Sequence, residues 1–245
     1  MSTLYNTYWV RFDHGQTTFQ QAIERSQALF TAARSAGVQR IVHVSITNPS
    51  LSSSLPYFRG KARVEHSLAQ VGVPYTIVRP TLIFGGYRDV LVNNIAWIMR
   101  RSPVFPIPGN GAYLVQPVHI EDLARICTDV ARAGESPVVD AAGPQTMPFA
   151  QLVALIRRAT RARAPIVHVP SEMMMLAARA LGLLTRDVVL TSDEIKGLMA
   201  GLLVSHKPPL GQSSFSDWLH RNRASVGRTY ANELERHFAP GDLHS

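Results

Sequence analysis

Tyr57-Phe58-Arg59-Gly60-Lys61 places a phenol and an ammonium four residues apart. On a helix the two side chains share one face and can meet at one site. A tyrosine titrates near ~10 and moves protons poorly at neutral pH, but a neighbouring cation favours the phenolate and lowers that value. The pair is a workable general acid/base for a carbonyl or hydroxyl. Ser45 adds a hydroxyl after the apolar run Ile41-Val42-His43-Val44, at the strand end where ligands collect on open α/β sheets. Arg79-Pro80 closes a second such run. His119, at the start of a helix beside Glu121 and Asp122, reads as a capping or packing residue, and no spacing of His, Cys, Asp and Glu suggests a metal site.

The elements that must position these groups alternate. Leu4 to Val10 reads as a strand; Phe19, Ile23, Phe30 and Ala33 then fall at helical spacing until Gly37. Arg40 to Ser45 is a short strand, a Ser-rich loop spans 50–54, a helix runs from about Pro56 to Gln70, and Tyr75 to Arg79 is a strand. Strand, helix, strand, helix, strand at this spacing predicts right-handed crossovers on a parallel sheet, an α/β fold. Further on, a helix is predicted around Val90 to Arg101, another from Asp122, a strand at Val138 to Asp140, and a helix behind Thr146 as N-cap. The remainder reads as mostly helical, with an apolar Met173–Leu184 stretch as a buried helix and a charged helix near Arg228 to Phe238. This divides the chain into a sheet domain, 1–145, and a helical lobe, 146–245.

Composition excludes several classes. With 245 residues, 46% of them hydrophobic, and a mean hydropathy of +0.01, the chain can bury a core and is not a disordered tail. No apolar run approaches the ~20 residues of a membrane span, and the N-terminus lacks a secretory signal. Cys127 is alone, so the protein is expected in the cytoplasm without internal disulfides. The net charge of +8 comes mainly from scattered arginines; Arg157, Arg158, Arg161 and Arg163 cluster, but without a stacking platform or motif for nucleic acid, and none is expected as a partner.

Ser45, Tyr57 and Lys61 together resemble the catalytic triad of the short-chain dehydrogenase/reductase superfamily. Arg79-Pro80-Thr81 is similar to the strand end that faces its nicotinamide. Tyr5 to Trp9, Asn93 to Trp97, Gln116 to Asp122 and Gly227 to Tyr230 resemble the atypical branch, grouped with NAD(P)-dependent epimerase/dehydratases and with the nucleotide-binding accessory subunit of respiratory complex I. The resemblance implies a Rossmann-like fold with a helical substrate lobe and a small-molecule substrate. It also implies hydride transfer with NAD or NADP, the cofactor supplying the chemistry and the protein the positioning. Tyr57 would donate or accept the proton, Lys61 would lower its pKa and hold the nicotinamide ribose, and Ser45 would orient the substrate oxygen. Asn6, Thr7, Arg79, Pro80 and Thr81 would line the cofactor.

The front of the chain departs from that pattern. No G-x-G-x-x-G exists in the sequence, and Gly15 and Gly37 are the only glycines before Gly60. The first strand matches the family's fourth, so the half that holds the ADP moiety is expected to be missing and nucleotide binding to be weak or absent. The strand so uncovered would be an edge through which the chain self-associates. Two functions stand beside each other: an atypical NAD(P)-dependent oxidoreductase or epimerase/dehydratase, active only if the missing half is supplied, and a non-catalytic binding or assembly module like the accessory subunit.

Overall fold

Apolar residues two apart build the strands, and apolar residues three or four apart build the helices, of a computed structural model that describes residues 2–86, 89–133 and 138–237. In chain order the elements are β1 (Thr3–Asn6), α1 (Phe19–Ser35), β2 (Arg40–Val44), α2 (Pro56–Ala69), β3 (Tyr75–Pro80), β4 (Leu82–Phe84), α3 (Leu91–Arg101), β5 (Phe105–Pro108), β6 (Leu114–Val115), β7 (Pro117–His119), α4 (Ile120–Ala133), β8 (Val138–Ala141), β9 (Met147–Pro148), α5 (Phe149–Thr160), β10 (Ile166–Val169), α6 (Ser171–Thr185), α7 (Ser192–Met199), α8 (Phe215–Asn222) and α9 (Glu233–His237). None of the described helices is long and apolar enough to cross a membrane.

The elements form two compact units: Met1–Ile83 with Gln116–Thr146 and Leu202–Ser213, and Phe84–Val115 with Met147–Gly201 and Ser214–Ser245. The sequence suggests one boundary after residue 145. The chain instead leaves the first unit at 84 and returns to it at 116 and again at 202, so the two are interleaved.

The first unit is a parallel sheet in the order β1-β2-β3-β8. Alternation along β2 sends Ile41 and His43 to one face and Val42 to the other. On the first face Ile41 and Ile77 pack with Ile23, Phe30 and Ala33 of α1 and Val64 and Leu68 of α2. On the second, Val42, Val78 and Ala141 pack with Leu123, Ile126, Cys127 and Ala131 of α4. Both faces are covered, which is why the strands read as near-continuous apolar runs. Burial pushes the Cys127 thiol up to about 11, leaving it an inert core residue.

One expectation shifts here and one holds. The strand predicted over Leu4 to Val10 ends at Asn6, because the Asn6 side chain accepts the Tyr8 amide (3.0 Å) and turns the chain. His119 caps as expected: it is buried, and its Nδ1 accepts the Glu121 amide at 3.3 Å.

In the second unit α3 packs on α5, β5 pairs with β10 in parallel and β6 with β9 antiparallel. The residue before α5 is Pro148 rather than Thr146, because Phe149 already begins the helix. The charged terminal helix covers only Glu233–His237, and Phe238 lies outside the described residues. Arg228 to Tyr230 stay outside any helix because α3 holds this segment: Asn93 donates to the Thr229 carbonyl and accepts the Gly227 amide, while Asn94 exchanges two 2.9 Å bonds with the Ala231 backbone. The Met173–Leu184 stretch is helical, but Ala178 is its only buried residue. Met173, Leu176, Leu183 and Leu184 face solvent, because the stretch carries a second apolar stripe that no described residue covers.

Candidate active site

Ser45 and Lys61 meet at the end of β2, and Tyr57 lies one helical turn before Lys61 on α2, all three in the first unit. β2 delivers Ser45 one residue past its carboxyl end, where its amide bonds the Val78 carbonyl at 2.8 Å. α2 starts at Pro56, whose ring suits a first helical turn, and so presents Tyr57 and Lys61 one turn apart. Lys61 Nζ donates to the Val44 carbonyl at 3.1 Å, tying α2 to the end of β2 beside Ser45. The Ser45 hydroxyl is buried and has no hydrogen-bond partner among the described residues.

Trp9, which the sequence marked only as the end of the family-like segment Tyr5 to Trp9, touches both groups. Its indole lies 4.8 Å from Lys61 Nζ and meets the Tyr57 ring edge-on at 6.0 Å. Phe19 stacks on Trp9 at 5.9 Å and also meets Tyr57 edge-on. The indole fits because residue 60 is glycine: a Cβ there would come within 2.9 Å of Trp9 Cη2. Lys61 is consequently only 3% exposed, and desolvation pulls its ammonium down to about 7 although Glu65 opposes the shift.

A second buried group, His43, was also missed. Its ring packs on Phe30 at 5.7 Å, Asn6 Nδ2 lies 3.0 Å from its Nδ1, and its Nε2 has no partner among the described residues. Burial, then the Lys61 charge, pushes the imidazole down to about 3, so it is neutral. A histidine in the middle of an apolar strand was the available signal. Trp9 offered none, since its contact with Gly60 spans fifty residues.

The remaining predicted cofactor residues are engaged in other ways. Asn6 is buried between His43 and the Tyr8 amide, and Thr7 is exposed. Arg79 forms a forked pair with Glu65 of α2, its Nε 3.0 Å from Oε1, and that carboxylate holds the guanidinium charged. The Pro80 carbonyl accepts the Thr47 amide at 3.0 Å, and the Thr81 amide bonds the Ala141 carbonyl at 3.1 Å. The identities of Ser45 and Tyr57 suit the nicotinamide end of a dinucleotide. In this arrangement Lys61 lies against the Trp9 indole, and Asn6 and Arg79 bond other residues of the chain.

A parallel sheet with helices on both faces, and Ser45 just past the carboxyl end of one of its central strands, define a Rossmann-like fold. Among known proteins the chain is similar to the mitochondrial NADH-ubiquinone oxidoreductase 40 kDa subunit of Neurospora crassa, 27% identical over 179 residues that make up 71% of this chain and 46% of that subunit. The chain thus spans about half the length of this curated relative. Triphenylmethane reductase of Citrobacter sp. shares the fold with a TM-score of 0.73 at 17% identity, over 91% of this chain and 76% of the reductase. An NADPH-dependent quinone oxidoreductase of Escherichia coli, solved with NADPH, follows with a TM-score of 0.69 at 19% identity, over 89% of this chain and 75% of that one. No protein-family profile matches the chain. The relative and the shared fold agree with the resemblance to the atypical short-chain dehydrogenase/reductase branch.

Proposed function

We propose that the chain carries the proton-transfer end of an NAD(P)-dependent oxidoreductase or epimerase/dehydratase of the atypical short-chain type, closed over by its own tryptophan. Lys61 bonded to the Val44 carbonyl beside Ser45, with the Trp9 indole against both Lys61 and Tyr57, supports this reading. Tyr57 Oη would pass a proton to or from the oxygen of a small-molecule substrate. Lys61 would favour the phenolate once the indole moves off it, and the Ser45 hydroxyl would orient the substrate oxygen. NAD or NADP is the cofactor of this reading, bound weakly or not at all while Trp9 covers Lys61.

Titration with NADH and NADPH, followed calorimetrically, tests it. Trp9→Ala should bind at least about tenfold more tightly than the unaltered chain, a difference of about 1.4 kcal/mol. Tyr57→Phe in the Trp9→Ala background should keep binding and lose turnover. Tight binding by the unaltered chain would remove the closure, and equally weak binding by both would remove the nucleotide.

A binding or assembly module related to the 40 kDa subunit is the second reading. The buried Lys61 favours it, because an ammonium bonded to the Val44 carbonyl also serves as a strut between α2 and β2. Absence of turnover in every variant, with the fold intact, would leave this reading standing. In both readings the lone, buried Cys127 accords with a cytoplasmic protein, which fractionation of the source cells would check.

A further inference from the structure

Helix α6 carries an apolar stripe on its solvent side. Met173, Leu176, Ala177, Ala180, Leu183 and Leu184 recur at i, i+3, i+4, i+7, i+10 and i+11, the spacing of one helix face, and all six are exposed. The large ones are far out: Met173 is 57% exposed, Leu176 70%, Leu183 84% and Leu184 83%. Ala178, the buried residue, lies on the opposite side of the helix. No charged residue interrupts the stripe; Glu172 and Arg179 border it.

We propose that this stripe is an interface between two copies of the chain, with the two α6 helices packed antiparallel about a twofold axis. The sequence of α6 is complementary to its own reverse. An antiparallel pair centred between Ala177 and Ala180 sets those small residues against each other, where they let the backbones approach, and puts Met173 opposite Leu184 at both ends. The same register places Glu172, in the first turn, near Arg186, the C-cap residue, of the other copy, giving two opposite-charge contacts. Four large apolar side chains per copy, each more than half exposed, reach roughly the 1,000 Å² that a specific interface requires. A membrane surface suits α6 less well, because interfacial helices carry several cations on the polar face and Arg179 is the one cation within Ser171–Thr185.

Light scattering of the full 245-residue chain tests the proposal. The unaltered chain should have twice the single-chain mass at micromolar concentration, and Leu184→Glu should halve it. Arg186→Glu should weaken association about tenfold, and the swap Glu172→Arg with Arg186→Glu should restore it, a rescue that only antiparallel self-pairing provides. A chain that is monomeric at all concentrations overturns the proposal. So does a dimer that survives Leu184→Glu but dissociates with Tyr5→Lys on the β1 edge. So does a monomer that floats with phosphatidylglycerol vesicles and loses that property on Leu184→Glu.

Discussion

At Lys61 two demands fall on one side chain. The proposed proton transfer needs a charged ammonium near the Tyr57 phenol, whereas burial away from water favours the neutral amine. The consequence for stability follows from linkage. Burial lowers the folded-state value from 10.5 to about 7, so between those values the unfolded chain binds a proton that the folded chain does not. Stability contributed by this group therefore increases as pH rises from about 7 to 10.5. Thermal melting should climb by several degrees from pH 7 to 10, and Lys61→Met, which removes the titration and fills similar space, should flatten that climb without lowering stability at pH 7. His43 acts in the same sense at lower pH. Its value falls from 6.5 to about 3, so stability should be lost as pH drops below 6.5. Gly60→Ala should displace the indole and change Trp9 fluorescence, since the new methyl would stand 2.9 Å from Cη2.

Among the elements, segments far apart in sequence act as pairs. Asn93 and Asn94 of α3 hold 227–231 by four hydrogen bonds, and Trp97 packs on Tyr230 at 5.0 Å. Gly227 is required there: its φ is +74°, and a Cβ would come within 2.6 Å of the Ala96 carbonyl carbon. Gly227→Ala should destabilise by about 2–4 kcal/mol, combining a left-handed backbone penalty with overpacking, as read from the urea midpoint. Two segments that carried the family resemblance, 93–97 and 227–230, thus touch each other, and their likeness to the family is a matter of scaffold. The same holds for Gln116, whose Nε2 bonds the Gly143 carbonyl, and for Asp122, which accepts the Gln212 and Ser213 amides.

For the whole molecule, the order of strands and helices in the first unit was legible from spacing, since each element of β1-α1-β2-α2-β3 has its own apolar period and its own stop, such as Gly37 after α1. The interleaving of the two units was not, because the return of 202–213 to the first unit depends on bonds such as those from Asn48 to the Leu202 and Val204 carbonyls, made across more than 150 residues. The bare edge expected of the first strand is present in that β1 pairs only with β2 among the described strands, yet the longer apolar surface is on α6, which composition had assigned to the interior. Periodicity reports that a helix has an apolar face but not whether anything covers it. The sequence by itself determined the α/β class and set Tyr57 and Lys61 one helical turn apart, because both depend on local spacing. Whether Lys61 meets solvent or lies sealed under Trp9, and whether the leucines of α6 are core or surface, was decided by tertiary structure alone, because burial is conferred by residues distant in the chain.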